Sequence, residues 1–373
     1  MATDSDIPLP RADEASLADL VPSLLSALDV PGFGNPLGIE PTSRACLLLV
    51  DGLGWELFQA NREFTPFLNA GARDVRPLTT GFPATTVASL GSIGTGRPPG
   101  EHGLVGTTLA VPGGNQVMSC LRWVTYGAER KTDLRDQVVP ERFQPDPTVF
   151  ERAADDRVEV TLVGPRDHAA SGLTRAVLRG GRYDSVVSLG ELAAMAPRHL
   201  AAGRRTLVYA YHRDLDITGH VRGVGSDNWR SHLRFVDLLA ELVAERLPRD
   251  ALLAIVGDHG MSTSARSSAS TSRTIPSSPP ACGCSPGRDA PATSTPPRAR
   301  PATCSRPGGP SSATRCGWPP ASRRSPRAGS GRGCSTGYGH GSATSWRPRA
   351  DRSASSSGGS TPGRRGWWAT TAR

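Results

Sequence analysis

Residues 1–261 are predicted to form a mostly parallel α/β sheet with helices on both faces, and three observations predict it. Short apolar runs such as Ala45–Val50, Thr206–Tyr211 and Leu252–Val256 have the length and composition of strands buried on both sides. Between them lie longer stretches whose apolar residues recur every three to four positions, as on one face of a helix. The two kinds of stretch alternate, which is the order a parallel sheet with crossover helices requires.

Taken in order, residues 1–14 are polar and are expected to fray. Ala15–Leu28 carries Leu17, Leu20, Val21, Leu24, Leu25 and Leu28 at helical spacing, with Pro22 near the first turn. After a Pro/Gly-rich connection, the strand at Ala45–Val50 ends in Asp51-Gly-Leu-Gly. Trp55–Ala60 and Pro66–Ala70 read as helices, Val75–Thr79 as a strand, and Val87–Ile93 as a helix broken by Gly94-Thr-Gly-Arg-Pro-Pro-Gly. Apolar stretches around Pro112-Gly-Gly within residues 103–127 suggest a hairpin. Pro147–Ala154, Ala169–Leu178 and Leu189–Ala202 are expected helices, and Val158–Val163 is an expected strand. The strand Thr206–Tyr211 runs into Asp214-Leu-Asp-Ile-Thr-Gly-His, and the long helix Asp227–Leu247 shows a stripe of Leu233, Val236, Leu239, Leu242 and Val243 that reads as core. Leu252–Val256 closes the pattern at Gly-Asp258-His259-Gly-Met.

Beyond Met261 the composition changes. Residues 262–373 contain no Leu, Val, Phe, Met, Lys or Glu, but seventeen Arg against two Asp. That segment carries +15, so the formal +9 of the whole chain leaves −6 on residues 1–261. The basic character belongs to the tail, and a basic protein seeking nucleic acid is the wrong description of the body. The tail lacks interleaved aromatics for base stacking, having Trp318, Tyr338, Trp346, Trp367 and Trp368. Cys46 and Cys120, the body's cysteines, read as small buried hydrophobes and not as a disulfide framework. There is no leader pattern and no apolar run near membrane-spanning length, so a cytoplasmic protein without a membrane anchor is the expectation.

Three strand ends carry acidic or imidazole groups: Asp51, the pair Asp216 and His220, and the pair Asp258 and His259. Each alone has a plainer role, as a turn residue, an exposed turn or a cap. Together, just past buried strands where α/β sheets bind ligands, they have the donor types of a zinc-like divalent site. Thr86 stands at the start of an expected helix, where free backbone N–H groups favour an oxyanion. It could equally be the cap, and Thr85 competes for either role. A Thr hydroxyl becomes a nucleophile only beside a base or a metal.

These residues resemble the nucleotide pyrophosphatase/phosphodiesterase branch of the alkaline phosphatase superfamily. The resemblance rests on Leu-Leu-Val-Asp51-Gly-Leu-Gly, Phe-Pro-Ala-Thr-Thr86, Gly-Thr-Gly-Arg-Pro-Pro-Gly-Glu-His102-Gly, Asp216-Ile-Thr-Gly-His220 and Gly-Asp258-His259-Gly-Met, in the family's order. It implies an alkaline-phosphatase-like sheet and hydrolysis of phosphodiester or nucleotide pyrophosphate bonds through a phosphorylated threonine. It also implies two divalent ions, zinc by preference, and a small phosphorylated substrate such as a nucleotide. Asp51, Thr86, Asp258 and His259 would hold one ion, with Thr86 the nucleophile; Asp216, His220 and one further histidine would hold the other. Relatives place an Asn soon after the His-Gly; here the neighbourhood offers Thr107 as the substrate contact, which leaves nucleotide specificity open. His102 itself reads as a packing residue.

The tail's one histidine, His340, sits in a segment too poor in large apolar residues to close a sheet. A nucleotide lost near the Met261 codon accounts for it better: shifting the codons back by one base permits Gly-Met-Val-Asp-Val starting at Gly260 and Val-Gly-Tyr-His-Gly near the end. On this account residues 1–261 are an incomplete catalytic domain and residues 262–373 a low-complexity tail read out of frame, with weak metal binding and little activity expected. Sulfatases and phosphomutases of the superfamily carry Cys or Ser at the nucleophile, so Thr86 favours the diesterase branch over a phosphomonoesterase or either of these. The non-catalytic alternatives are an inactive product or a basic tail that binds nucleic acid.

Overall fold

In a computed structural model of the chain, residues 15–71, 74–262 and 366–372 are described. The polar N-terminal residues 1–14 and tail residues 263–365, His340 included, lie outside the described residues. The chain begins with α1 (Leu17–Ala27), β1 (Arg44–Val50), α2 (Trp55–Ala60), α3 (Pro66–Gly71), β2 (Asp74–Leu78), α4 (Thr86–Thr95) and α5 (Pro99–His102). Then come β3 (Thr108–Ala110), β4 (Val117–Ser119), β5 (Val124–Thr125), α6 (Pro140–Phe143), α7 (Val149–Asp155), β6 (Glu159–Pro165), α8 (Gly172–Val177) and β7 (Arg182–Val186). The remainder is α9 (Leu189–Ala202), β8 (Thr206–His212), α10 (Asp214–Arg222), α11 (Asp227–Glu245), β9 (Ala251–Gly257) and β10 (Gly366–Ala372).

Seven strands form one sheet in the order β2-β10-β9-β1-β8-β6-β7, with every pairing parallel. β1 lies at the centre, and the register sets Val50 opposite both His212 of β8 and Gly257 of β9. Three strands therefore end at one level, and the loops that follow them emerge side by side. Side chains alternate across a strand. Ala45, Leu47 and Leu49 accordingly pack on one face with α1, α4, α7 and α8, while Cys46, Leu48 and Val50 pack on the other with α9 and α11. Of the α11 stripe that read as core, Leu233, Val236, Leu239 and Val243 are fully buried, and Leu242 is partly buried against them. Cys46 and Cys120 are buried and unpaired.

Most expected elements are present within a residue or two, and the departures have local causes. Thr148 caps α7 by accepting from Glu151 N while its own N–H donates to the Glu151 carboxylate at 2.8 Å, so the helix starts later than Pro147. Ser171 caps α8, which confines that helix to the second half of the expected Ala169–Leu178. The expected hairpin in 103–127 is a separate sheet of β3, β4 and β5. The edge strand β7 escaped prediction because Arg182-Tyr-Asp-Ser-Val186 is too polar to signal a buried strand. The segment after β8, open to a turn reading, is the helix α10, which sets Asp216 and His220 one turn apart.

β10, at the far end of the chain, sits between β9 and β2, pairing Trp368 with Ala254 and with Asp74. Trp367, Trp368, Thr370 and Thr371 are residue types that favour extended backbone, a local preference the segment's overall composition hides.

Candidate active site

The loops after β1 and β9 fit together because glycines remove the side chains between them. A Cβ on Gly54 would lie 2.3 Å from Gly260 Cα, and one on Gly257 would lie 1.8 Å from Leu53 O. Gly52 turns the chain with φ +78° and donates its N–H to Asp258 Oδ1 at 2.9 Å. His259 N donates to the same oxygen at 3.0 Å. The Asp258 carbonyl accepts from Ser89 Oγ at 2.7 Å and Thr80 Oγ1 at 3.2 Å, tying this loop to α4 and to the end of β2. Backbone and neighbouring hydroxyls thus fix where the carboxylate points.

Asp51, Asp258 and His259 each offer a ligand atom within 4.8 Å of the others, and all three are buried. His259 Nε2 is 3.3 Å from Asp51 Oδ1 and 3.5 Å from Asp258 Oδ2. Asp258 Oδ2 takes no hydrogen bond although it is fully buried. Such an oxygen is costly unless a cation or proton meets it. His259 Nδ1 lies 2.9 Å from the Gly260 carbonyl and so carries a proton, which turns Nε2 inward as the metal-ligating atom. This donor set fits a divalent ion.

The cluster's proton balance points the same way. Burial disfavours charge on His259, but the Asp258 and Asp51 carboxylates outweigh it and raise its pKa to about 10. Burial, and then the like charge of Asp51, push Asp258 up. Without a cation, the cluster keeps an extra proton among these groups at neutral pH.

Thr86 reaches the same point. Thr85 is the cap of α4, accepting from Ala88 N at 3.3 Å, which resolves the competition between the two threonines and frees Thr86 in the first turn. Thr86 Oγ1 lies 3.1 Å from His259 Nε2 and 3.5 Å from Asp51 Oδ1. Residues Val87 to Thr95 are all buried, so the helix start cannot drift. His102 is a packing residue as expected: buried, 3.2 Å from Ser92 Oγ through Nε2, and accepting from Leu104 N at Nδ1.

Asp216 comes alongside, since a Cβ on Gly52 would lie 3.0 Å from Asp216 Cβ. Burial and the charge of Asp51 raise its pKa, and its Oδ1 is buried without a hydrogen bond. His220 Nε2 stands 3.3 Å from that oxygen, but its side chain is 71% exposed. No third ligand completes this pair among the described residues. Thr107 is exposed just before β3, its carbonyl accepting from Cys120 N, and it does not line the cavity at Thr86.

That cavity, of about 670 Å³, opens beside Asp51 and Thr86. Tyr183, Tyr209, Tyr211, His168, Arg122 and Arg166 are among its lining residues. Tyr209 and Tyr211 stack at 6.5 Å, and the Tyr211 hydroxyl donates to Asp51 Oδ2. The sequence offered no functional signal for Tyr211. Its i, i+2 relation to Tyr209, on the strand leading to Asp216, is the one cue available.

Residues 45–275 match the family model described as type I phosphodiesterase / nucleotide pyrophosphatase. The chain belongs to this family. Among solved structures it is similar to an inactive murine ectonucleotide pyrophosphatase/phosphodiesterase 5 in complex with AMP, at 17% identity and TM-score 0.42, over 58% of this chain and 57% of that one. It is also similar to phosphonoacetate hydrolase from Sinorhizobium meliloti 1021 in complex with phosphonoformate, at 18% identity and TM-score 0.43, over 59% and 57%. The chain thus spans little more than half the length of these two proteins. No curated protein matches it. Among the described residues, no helix of this phosphodiesterase-family chain is long and apolar enough to cross a membrane.

Proposed function

We propose that this chain is a metal-dependent hydrolase of phosphodiester or nucleotide pyrophosphate bonds that works through a phosphorylated Thr86. The observation that carries the proposal is the position of Thr86 Oγ1, 3.1 Å from His259 Nε2 at the open start of a buried helix. Asp51, Asp258 and His259 would hold one divalent ion, zinc by donor type, with Asp216 and His220 contributing to a second. Such ions lower the pKa of a bound hydroxyl and stabilise charge building on phosphoryl oxygens. The protein's own part is positional. Tyr211 fixes the Asp51 carboxylate, Gly52 and His259 N–H groups fix that of Asp258, and Thr85 leaves the Thr86 hydroxyl unencumbered. The Thr86 hydroxyl gives up its proton to solvent as its oxygen attacks phosphorus. The ester oxygen leaves with the electron pair of the broken P–O bond and is protonated by solvent, and water later adds to phosphorus and releases phosphate, restoring the Thr86 hydroxyl. The N–H groups of Thr86 and Val87, at the first turn of the helix and unpaired within it, would favour the developing negative charge there.

The cavity beside Thr86 has room for a second ester substituent, which favours diesters over monoesters. Turnover of bis-p-nitrophenyl phosphate against p-nitrophenyl phosphate with added zinc tests this, with acid-quench mass spectrometry to look for phosphate on Thr86. The diester is expected to turn over faster, and undiminished turnover by Thr86→Ala would end the proposal. The reading also takes residues 262–373 as out of frame, so a frame-corrected chain should bind a second zinc and outpace the present one. Sequencing across the Met261 codon decides that part.

A further inference from the structure

The cavity beside Thr86 carries more positive charge than its own walls compensate. Four arginines line it. Two are spent: Arg213 Nη1 pairs with Asp167 at 2.7 Å, and Arg135 is held by Asp133 and donates to the Ala170 carbonyl at 2.8 Å. The other two, Arg122 and Arg166, make no side-chain hydrogen bond or ion pair with any described residue, although residues 1–261 carry net −6. They belong to separate segments, Arg122 to the turn before β5 and Arg166 to the turn after β6.

Both turns are held in place from below. Trp123, next to Arg122, is fully buried and donates from Nε1 to the Val138 carbonyl at 2.7 Å. A Cβ on Gly172 would lie 2.1 Å from its ring, so only glycine lets α8 pack there. Arg166 follows directly on β6, whose Pro165 carbonyl accepts from the Tyr183 hydroxyl at 2.9 Å. Two exposed arginines on rigid supports line one cavity that tyrosines also line, and guanidiniums bind anions in charge-assisted contacts.

We infer that Arg122 and Arg166 recognise a second anionic group, a carboxylate or phosphate, on the part of the substrate that fills this cavity. The inference rests on the proposed function for the placement of the reacting phosphoryl at Thr86, and it narrows the substrate class. The favoured diester joins its scissile phosphoryl through a flat or apolar body, packed beside the half-buried Tyr183, to a further negative charge. Diesters lacking that charge leave both guanidiniums unanswered.

The test uses the full chain and non-hydrolysable probes. Phenylphosphonate, 4-carboxyphenylphosphonate and 1,4-phenylenediphosphonate would be titrated calorimetrically with zinc present, against the wild-type chain and against Arg122→Gln, Arg166→Gln and the double variant. The expected result is about tenfold tighter binding of both doubly anionic probes than of phenylphosphonate, the size of a charge-assisted contact. That ratio should shrink in each single variant and fall to about one in the double. Preference for only one of the two probes identifies the anion as carboxylate or phosphate. Equal binding of all three probes, no binding of the charged ones, or a ratio that survives the double substitution in a chain with unchanged near-ultraviolet circular dichroism would overturn the inference. A retained ratio in the wild type with no diester turnover would instead remove the hydrolase reading and leave the anion site standing.

Discussion

The two halves of the acidic cluster are built to different standards. Asp51, Asp258 and His259 are buried, lie within 4.8 Å of each other, and are held by the Gly52 and His259 N–H groups and the Tyr211 hydroxyl. Asp216 and His220 sit on one helical turn, with Asp216 Oδ1 lacking a hydrogen bond and His220 71% exposed. The first half rests on loops after the central strand β1 and its neighbour β9, where register leaves no freedom. The second depends on a further ligand that the described residues do not supply. Preorganisation, and not the number of acidic residues, separates a site that should bind an ion tightly from one that should not.

The strongest way to break this contrast is through Thr86. Thr86→Ala should lower diester turnover on the order of 10³-fold or more, because it removes the attacking atom. Zinc stoichiometry by equilibrium dialysis should stay unchanged, since the two carboxylates and the imidazole remain. Parallel loss of turnover and zinc would mean that Thr86 is a ligand first and a nucleophile second.

Next in size is the contrast between the histidines. His259→Ala should weaken the tighter zinc equivalent by roughly 100-fold, the loss of one ligand from a preformed site. His220→Ala should leave that equivalent within about twofold and affect only the weaker one, in line with its exposure. Competition with a chromophoric chelator reads both. Equal effects would show that the halves act as one site.

Proton competition sharpens the same point. The His259 pKa is raised to about 10, so at any lower pH the ring holds a proton that zinc must displace. Apparent affinity at the tighter equivalent should therefore rise with pH, by about tenfold per unit between pH 6 and 8. A flat profile would place the proton elsewhere.

How much of this could be read from the sequence follows the same division. β1, β8 and β9 announced themselves because strands buried on both faces need unbroken apolar runs, which made the residues just past them the candidates for the site. Asp51, Asp258, His259, Thr86 and Asp216 are accordingly brought together, whereas Thr107 is exposed and away from the cavity wall. Short-range signals failed where the residue's partner lies far along the chain. Arg122 and Arg166 are surface charges in the sequence and exposed in the fold, and their lining of one cavity is visible only in the structure. β7 and β10 were lost for a related reason, since strands at or near a sheet's rim need little apolar character.

Tyr211 offers the finest test. Its ring stacks on Tyr209, and both strand tyrosines are buried, but only Tyr211 has a partner for its hydroxyl. Burial and the Asp51 charge hold its pKa well above the ordinary tyrosine value, so it remains a donor to Asp51 Oδ2. Tyr211→Phe leaves that buried oxygen without its donor, which costs about 1–3 kcal/mol when uncompensated, and loosens the carboxylate. Zinc affinity should fall by up to about tenfold, with a lower melting temperature in the metal-free chain. Tyr209→Phe is the matched control, because its hydroxyl is buried without a hydrogen bond and its removal relieves a desolvated group. It should leave zinc affinity alone and hold or raise the melting temperature. If the two substitutions behave alike, the stacked rings matter only as packing, and the first half of the cluster owes its order to the backbone alone.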